Sequence, residues 1–488
     1  MPTTPLFIGV DPSLPEPLHT QVYRGLRSAI ADGRLKQGQF LPSTRALATS
    51  LCVGRNTVLR AVDRLKTEGL AEGRVGSGVR VARPAPAAPD GASARFEARA
   101  RSGHGTRAFE VGVPPLDVFP TRTWSRVAAQ RWRRSTQSII ESAEPCGYFH
   151  LREVIADYVR VARGVACEAD QVLITSGSHH AFEIVLRALL EPGDAVLTED
   201  PGRPEVARAV ISAGANPVPI PVDREGAHMT TSGRWSAARL AIVTPGCHFP
   251  SGVALSLRRR QQLVDWARAN NAWIIEDDHY AETRFVGRPI PTIHSLDMGL
   301  RTVFVGSFAH LLFPSLRIGF AVLPASIRER IVAARPLSEQ HTPTSTQAIL
   351  ADFIEQGHFA RHLRRLREAI AERYGILTRA LHVHCGMHLD PWPANAGVHV
   401  MGWLPPTEAE STVVAECARR GVVVQALGDF RQTPGRPGLV LGFGGWTPAQ
   451  IVAGVKNLAR ALNGSGSAVA RGSARATLNS ESIEVAVS

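Results

Sequence analysis

Short apolar runs alternate with helix-like segments through the middle of this chain, and that alternation most limits the folds available to it. The runs occupy residues 171–175, 194–197, 240–243, 272–275, 303–305 and 320–323. Such runs are typical of strands that are buried on both faces of a sheet. Segments between them, such as 181–190, can cover those faces as helices. The pattern predicts a large α/β domain built on a mostly parallel sheet.

The N-terminal part of the chain shows a different pattern. Val22, Leu26 and Ile30 recur at a spacing of four residues, which predicts the buried stripe of a first helix. Ser43 can cap a second helix, because its hydroxyl can accept a hydrogen bond from a backbone amide of the first turn. A third helix is predicted to end at Gly69, with a hairpin after it. Two helices around a tight turn followed by a hairpin are typical of a small α+β winged helix-turn-helix domain.

Composition divides the 488 residues into several parts. Residues 83–106 are rich in Pro, Ala, Gly and Ser and show no amphipathic period, which predicts a flexible linker. Residues 463–488 are rich in Ser, Ala and Gly and are predicted to be disordered. We therefore expect a winged helix domain at 15–82 and a large domain at 107–462.

Charge and cysteine content bear on partners and compartment. The formal net charge of +12 favours an anionic partner such as nucleic acid. The six cysteines show no Cys-x-x-Cys spacing, which argues against a disulfide framework or structural zinc and suits a reducing compartment. The sequence shows neither a signal-peptide pattern nor an apolar run of membrane-spanning length. We expect a cytoplasmic protein with no membrane partner.

Motifs in the N-terminal domain resemble the signature of GntR-type repressor domains. Residues 41–48 read Leu-Pro-Ser-Thr-Arg-Ala-Leu-Ala, residues 54–58 read Gly-Arg-Asn-Thr-Val, and residues 76–78 read Gly-Ser-Gly. The resemblance implies binding to double-stranded DNA, with arginines that can pair with guanine edges. The residues it assigns to DNA contact are Ser43, Thr44, Arg45, Arg55, Asn56, Thr57 and Gly76. The chain departs from the family at Gly54, where a serine or threonine is usual.

The large domain carries motifs in the order seen in fold-type I aminotransferases. They include Ser-Gly-Ser at 176–178, Glu-Asp-Pro-Gly at 199–202, Glu-Asp-Asp at 276–278, and the stretch 303–320. Together with the N-terminal motifs they resemble MocR-type regulators, which fuse a GntR domain to a fold-type I aminotransferase-like domain. The fold class implied is a multidomain one, with a small winged helix and a large α/β domain. The cofactor of that family is pyridoxal phosphate.

The resemblance also assigns a cofactor pocket, in which some positions match the family and others differ. The matching cofactor-binding positions are Gly177, Ser178, Asp277, Tyr280, Ser307 and Arg317. His310 stands at the position of the cofactor lysine, Arg203 at that of an aromatic residue that stacks on the ring, and Val440 at that of the arginine that binds the substrate carboxylate. A lysine forms a Schiff base through its primary amine, which imidazole lacks. We therefore expect no catalytic residue and no covalent cofactor, and non-covalent binding stays open.

The leading hypothesis is a homodimeric transcriptional regulator that senses a small-molecule effector, such as an anion held by Arg203 and Arg317, without transaminase catalysis. The alternative is a pyridoxal-phosphate enzyme with a fused DNA-binding domain, and a third possibility is a dimerisation scaffold with an empty pocket. A metal site is a lesser hypothesis, because imidazole groups can bind zinc, copper or nickel. The histidines concerned are His179, His180, His248, His279 and His310.

Overall fold

The computed structural model describes residues 9–12, 14, 16–73, 78–82, 108–134, 137, 139, 144–229, 235, 237–287 and 290–463. The predicted linker at 83–106 lies outside these ranges, as does the predicted tail after residue 463. The chain divides into two compact units, Met1–Gly103 and His104–Ser488. Each unit is described by itself below.

The first unit is the predicted winged helix. Its elements are the helices α1 (Leu18–Ala31), α2 (Thr44–Ser50) and α3 (Arg55–Thr67), and the antiparallel strands β1 (Ala71–Glu72) and β2 (Arg80–Val81). Val22, Leu26 and Ile30 are buried in its core as the spacing predicted. Ser43 caps α2, with its hydroxyl accepting a hydrogen bond from the Ala46 amide at 3.2 Å. The prediction of three helices and a hairpin is confirmed.

The second unit is built on a large sheet whose strand order is β3-β10-β9-β8-β7-β4-β5-β6. The strands are β3 (Val172–Thr175), β4 (Ala195–Asp200), β5 (Asn216–Asp223), β6 (Gly226–Ala227), β7 (Leu240–Val243), β8 (Trp273–Asp277), β9 (Thr302–Ser307) and β10 (Gly319–Val322). The pairs from β9 through β8, β7 and β4 to β5 are parallel, whereas β10 is antiparallel to both neighbours. The prediction of a mostly parallel sheet is confirmed.

Helices cover both faces of this sheet. They span Thr121–Arg133, Phe149–Arg163, Ser178–Leu189, Pro204–Ser212, Leu257–Ala269, Ile293–Asp297, Arg328–Ala334, Thr344–Glu355, His358–Cys385, Glu410–Arg419 and 448–463. Along β9, Val303 and Val305 belong to one apolar cluster with the helix Ser178–Leu189. Phe304, between them, belongs to another cluster that includes residues of His358–Cys385. This alternation places the two clusters on opposite faces of the sheet.

A smaller antiparallel sheet completes the second unit and was not predicted. Its strands are β11 (Asp390–Pro391), β12 (His399–Trp403), β13 (Gln425–Ala426) and β14 (Gly438–Gly442), in the order β11-β12-β14-β13. Short 3-10 helices span Leu116–Val118, Ala169–Gln171, Ala281–Thr283, Pro314–Leu316, Arg335–Leu337 and Leu427–Phe430. Among the helices that the structure describes, none is long and apolar enough to cross a membrane.

Candidate functional site

The predicted pocket residues meet at one edge of the large sheet, where the parallel strands end. Asp277 is the last residue of β8, and Ser307 is the last residue of β9. Arg203 follows β4 and directly precedes the helix Pro204–Ser212, and Gly177 directly precedes the helix Ser178–Leu189. In open α/β sheets, ligands bind at this carboxyl edge. The topology therefore gathers residues that are more than a hundred positions apart in the sequence.

Asp277 is buried and forms an ion pair with Arg203. The guanidinium Nη1 lies 2.9 Å from Asp277 Oδ2 and 3.4 Å from His279 Nδ1. Burial raises the pKa of Asp277 to about 6, although the nearby Arg203 acts to lower it. A buried carboxylate is stable only when it is paired or neutral. The carboxylate that the resemblance assigns to the cofactor's ring nitrogen therefore has a cation from its own chain.

Three aromatic side chains pack together beside this ion pair. The ring centroid of His310 lies 4.2 Å from that of His279 and 5.2 Å from that of Tyr280. Burial, with Arg203 and Arg317 nearby, lowers the pKa of His310 to about 3, so its imidazole is neutral at physiological pH. The cavity bordered by Tyr280, Ser307 and His310 measures about 20 Å³. That volume holds about one water molecule.

The Tyr280 hydroxyl is buried, and no hydrogen-bond partner for it is found among the described residues. Burial raises the pKa of this phenol above its ordinary value, so it carries its proton. A buried donor without a partner loses the free energy of its lost hydrogen bond to water. Tyr280 can therefore offer a hydrogen bond to a bound molecule.

Gly177 and Ser178 form an anion cup at a helix N-terminus. Gly177 has φ +99°, and the amides of Gly177 and Ser178 donate no hydrogen bond to the described part of the protein. The Arg317 guanidinium faces the cup: a Cβ atom added at Gly177 would lie 3.7 Å from Arg317 Cζ. No carboxylate among the described residues forms an ion pair with Arg317. Free amides at a positive helix end, with an unpaired guanidinium, suit a small oxyanion.

A carboxylate that sequence reasoning missed stands next to the cup. Ser176 Oγ lies 2.7 and 2.8 Å from the two carboxylate oxygens of Glu339, to which it can donate. His180 Nδ1 accepts a hydrogen bond from the Ser176 amide at 3.1 Å, and its Nε2 lies 3.0 Å from Ser338 Oγ. Glu339 is 163 residues from Ser176 in sequence, so no local motif connects them. Its carboxylate therefore engages the hydroxyl directly before the cup.

In the first unit, the predicted DNA contacts lie on the two helices of the helix-turn-helix. Thr44 and Arg45 start α2, and Arg55, Asn56 and Thr57 start α3. Both arginines are exposed and form no ion pair within the described chain. Their guanidinium groups are therefore available to an external acceptor. Gly76, the predicted wing-tip contact, lies outside the described residues.

Comparisons with known proteins agree with both units. Residues 18–81 match the family described as bacterial regulatory proteins, gntR family, and residues 110–481 match aminotransferase class I and II. The chain is 34% identical over 467 residues to the probable rhizopine catabolism regulatory protein MocR of Rhizobium meliloti, covering 91% of this chain and 94% of that protein. The chain belongs to the MocR/GntR family of HTH-type transcriptional regulators.

Two further similarities place this MocR-family chain more closely. It is 30% identical over 438 residues to the HTH-type pyridoxine biosynthesis transcriptional regulator PdxR of Corynebacterium glutamicum, covering 90% of this chain and 94% of that protein. The α-aminoadipate aminotransferase LysN of Thermus thermophilus superimposes with a TM-score of 0.68 at 24% identity, covering 73–74% of neither chain's function but its fold: 74% of this chain and 93% of LysN. The predicted family and both predicted domain folds are confirmed.

The histidines of the MocR-family pocket do not come together as a metal site. His279 and His310 pack against each other, whereas His180 bonds to Ser338 and His248 Nδ1 lies 2.7 Å from Ser251 Oγ. Within the ranges that the structure describes, no group of three or more His, Cys, Asp or Glu residues has a metal-binding arrangement. The metal hypothesis gains no support from these residues.

Proposed function

We propose that this chain is a DNA-binding MocR-type regulator whose large domain dimerises and senses a small anionic ligand without transaminase catalysis. The observation that carries the proposal is the ion pair between Arg203 and Asp277. Aminotransferases of this class typically bind pyridoxal phosphate, whose ring nitrogen needs a carboxylate partner. Here a guanidinium of the same chain already pairs with that carboxylate.

The residues present do not fit covalent pyridoxal phosphate. His310, at the position matched to the cofactor lysine, has no primary amine to condense with an aldehyde. Its neutral imidazole packs on His279 and Tyr280 and leaves about 20 Å³ beside them. A pyridine ring needs far more room than one water molecule. The ring end of the site is therefore closed in this arrangement.

The phosphate end of the site retains what an oxyanion needs. Gly177 and Ser178 offer amides, Ser307 a hydroxyl, and Arg317 an unpaired guanidinium. Charge-assisted hydrogen bonds of this kind are the stronger ones in proteins. The Glu339 carboxylate, bonded to Ser176, stands where it would repel an incoming anion. We infer that ligand binding displaces Glu339 and that residues 338–342 report occupancy.

Non-covalent pyridoxal phosphate is the second candidate ligand. The Tyr280 hydroxyl lacks a partner within the described chain, and Asp277 is retained at the ring-nitrogen position. When bound, this cofactor supplies a protonated ring that acts as an electron sink. Its entry would require Arg203 to leave Asp277, so it competes with the existing ion pair.

The winged helix would read DNA through α2 and α3. We propose that Arg45 and Arg55 contact base edges, while Ser43, Thr44, Asn56, Thr57 and Gly76 contact the DNA around them. In a homodimer with C2 symmetry, two such domains would address two half-sites. The domains at 15–82 and 107–462, the linker at 83–106 and the cytoplasmic location belong to the same proposal. An effector acts only if it binds two arrangements of the protein unequally.

Fluorescence anisotropy with a DNA site selected from a random pool tests this function. Arg55→Ala should weaken binding to that site by about 1–3 kcal/mol and relax the base preference. Inorganic phosphate or pyridoxal phosphate should shift the DNA affinity of the wild type, and Arg317→Gln should abolish that shift while leaving basal DNA binding unchanged. An Arg55→Ala protein that binds like the wild type would contradict the DNA assignment. A ligand response that survives in Arg317→Gln would contradict the anion cup.

A further inference from the structure

A second cavity lies in the large unit, apart from the anion cup. It measures about 160 Å³, enough for one small organic molecule, and it is enclosed by the end of β4, the helix Pro204–Ser212 and the loop after β13. Its apolar wall includes Val206, Ile242 and Phe249, and its polar groups include Glu199 and Arg431. None of Gly177, Ser178, Ser307 and Arg317 lines it.

The loop that closes this cavity is fixed to β4. The Asp200 carboxylate accepts hydrogen bonds from the amides of Gln432 at 2.9 Å and Thr433 at 3.1 Å, and from the Thr433 hydroxyl at 2.5 Å. The Gly202 amide donates to the Phe430 carbonyl at 2.8 Å. A loop with this many anchors holds its side chains in defined positions. The cavity is therefore part of the folded structure.

Glu199 presents one free carboxylate oxygen. The residue is only 9% exposed, and its Oε2 accepts hydrogen bonds from the Thr244 amide at 3.0 Å and the Thr244 hydroxyl at 2.5 Å. No residue in the described ranges bonds to Oε1. Because Thr244 fixes the carboxylate, Oε1 has a set position at the cavity. A positively charged donor is the partner that such a buried acid favours most.

Arg431 supplies the opposite charge from the loop. It is half-buried, and its guanidinium carbon lies 5.6 Å from the centre of the Trp403 ring. No acidic side chain of the described chain forms an ion pair with it. A guanidinium without a carboxylate partner favours a planar carboxylate with which it can form two hydrogen bonds.

We propose that this cavity binds a small zwitterion, with its ammonium on Glu199, its carboxylate on Arg431 and its short carbon chain against the apolar wall. A simple anion would meet the Glu199 carboxylate, and a simple cation would meet Arg431. A molecule that carries both charges satisfies both walls. The inference concerns a different site from the anion cup and does not depend on it.

Isothermal titration calorimetry of the full chain tests this at pH 8. Burial raises the pKa of Glu199 to about 7, so the acid is ionised at that pH. The probes are unbranched α- and ω-amino acids of two to five carbons, compared with propionate and propylamine, which each carry one charge. At least one amino acid should bind ten times or more tighter than both single-charge compounds. If none binds, or if propionate binds equally well, the proposal is wrong.

Paired variants assign the binding to these residues. Glu199→Gln keeps the size and the Thr244 contact but removes the charge, and Arg431→Gln removes the other charge from a half-exposed loop; each should weaken binding at least tenfold. Arg436→Gln is the matched control, because Arg436 is on the same loop, 5.3 Å from the Trp403 ring, and does not line the cavity. Arg317→Gln should also bind the amino acid normally, which separates this site from the anion cup. Unchanged affinity in both charge variants would overturn the proposal.

Discussion

Arg203 occupies the place in this pocket that a ligand cation would otherwise take. It spans from the start of the helix Pro204–Ser212 to Asp277, which is 1% exposed. Removing one partner of a buried ion pair is strongly destabilising, because the remaining charge has no compensation. The residue that replaces an aromatic ring in this pocket is therefore expected to stabilise the fold.

Arg203→Leu should lower the free energy of unfolding by about 3–5 kcal/mol at pH 8, since it leaves the Asp277 carboxylate buried and unpaired. The loss should be smaller near pH 5, because the pKa of Asp277 is already about 6 and the acid can then take a proton. Urea unfolding at both pH values measures this. The control is Arg203→Leu with Asp277→Asn, which should recover most of the loss. An equal loss at both pH values would contradict the account.

His248 gives a separate prediction about acid. It is 1% exposed, and burial lowers its pKa to about 3, from an ordinary value of 6.5. Between these values the unfolded chain binds a proton that the folded chain does not, so stability falls as the pH falls below 6.5. The effect of this one group is at most about 1.4 kcal/mol per pH unit.

His248→Gln removes this group and introduces the residue that resembles the family pattern. The free energy of unfolding of the variant should therefore decrease less than that of the wild type between pH 6.5 and pH 4. Chemical denaturation in a series of buffers checks the difference between the two proteins. Parallel pH profiles would show that His248 is not the buried neutral group described here.

Among the elements, α3 begins without a side-chain cap. Gly54 is its N-cap residue, and a Cβ atom added there would meet only Thr57 Oγ1, at 3.7 Å. The hairpin behind α3 and the Ser43 cap of α2 follow the sequence pattern closely. Gly54 is the point at which the recognition helix departs from that pattern.

Gly54→Ser should stabilise the first unit by a few tenths of a kcal/mol, because its hydroxyl can accept a hydrogen bond from the first turn of α3. It should also tighten DNA binding, since a hydroxyl at this position can donate to a phosphate. Gly54→Ala is the control that adds a methyl group without a hydroxyl. Denaturation and anisotropy measure the two effects. Equal behaviour of the two variants would show that the hydroxyl makes no difference.

For the whole molecule, sequence patterns predicted the elements with strong local signals. The six apolar runs became β3, β4, β7, β8, β9 and β10. Strand β5 was missed because its sequence, Asn-Pro-Val-Pro-Ile-Pro-Val-Asp, carries prolines that are rare inside sheets. The small sheet was missed because β11 and β13 have two residues each.

The pocket shows the same limit at longer range. Sequence motifs placed Gly177, Ser178, Asp277, Ser307 and Arg317 in one site, since the fold brings strand ends together. They gave no sign of the bonds that close it. The pairing of Arg203 with Asp277 and of Ser176 with Glu339 depends on tertiary structure that joins residues 74 and 163 positions apart.

The central claim is that the chain's own side chains occupy the ring end of a cofactor-like pocket. Absorbance and borohydride trapping with added pyridoxal phosphate test it on the wild type, His310→Lys, and His310→Lys with Arg203→Tyr. We expect no trapped cofactor on the wild type, little on the single variant, and full labelling at position 310 in the double variant. Full labelling of His310→Lys alone would contradict the role given to Arg203. A borohydride-stable cofactor adduct on the wild type would contradict the whole account.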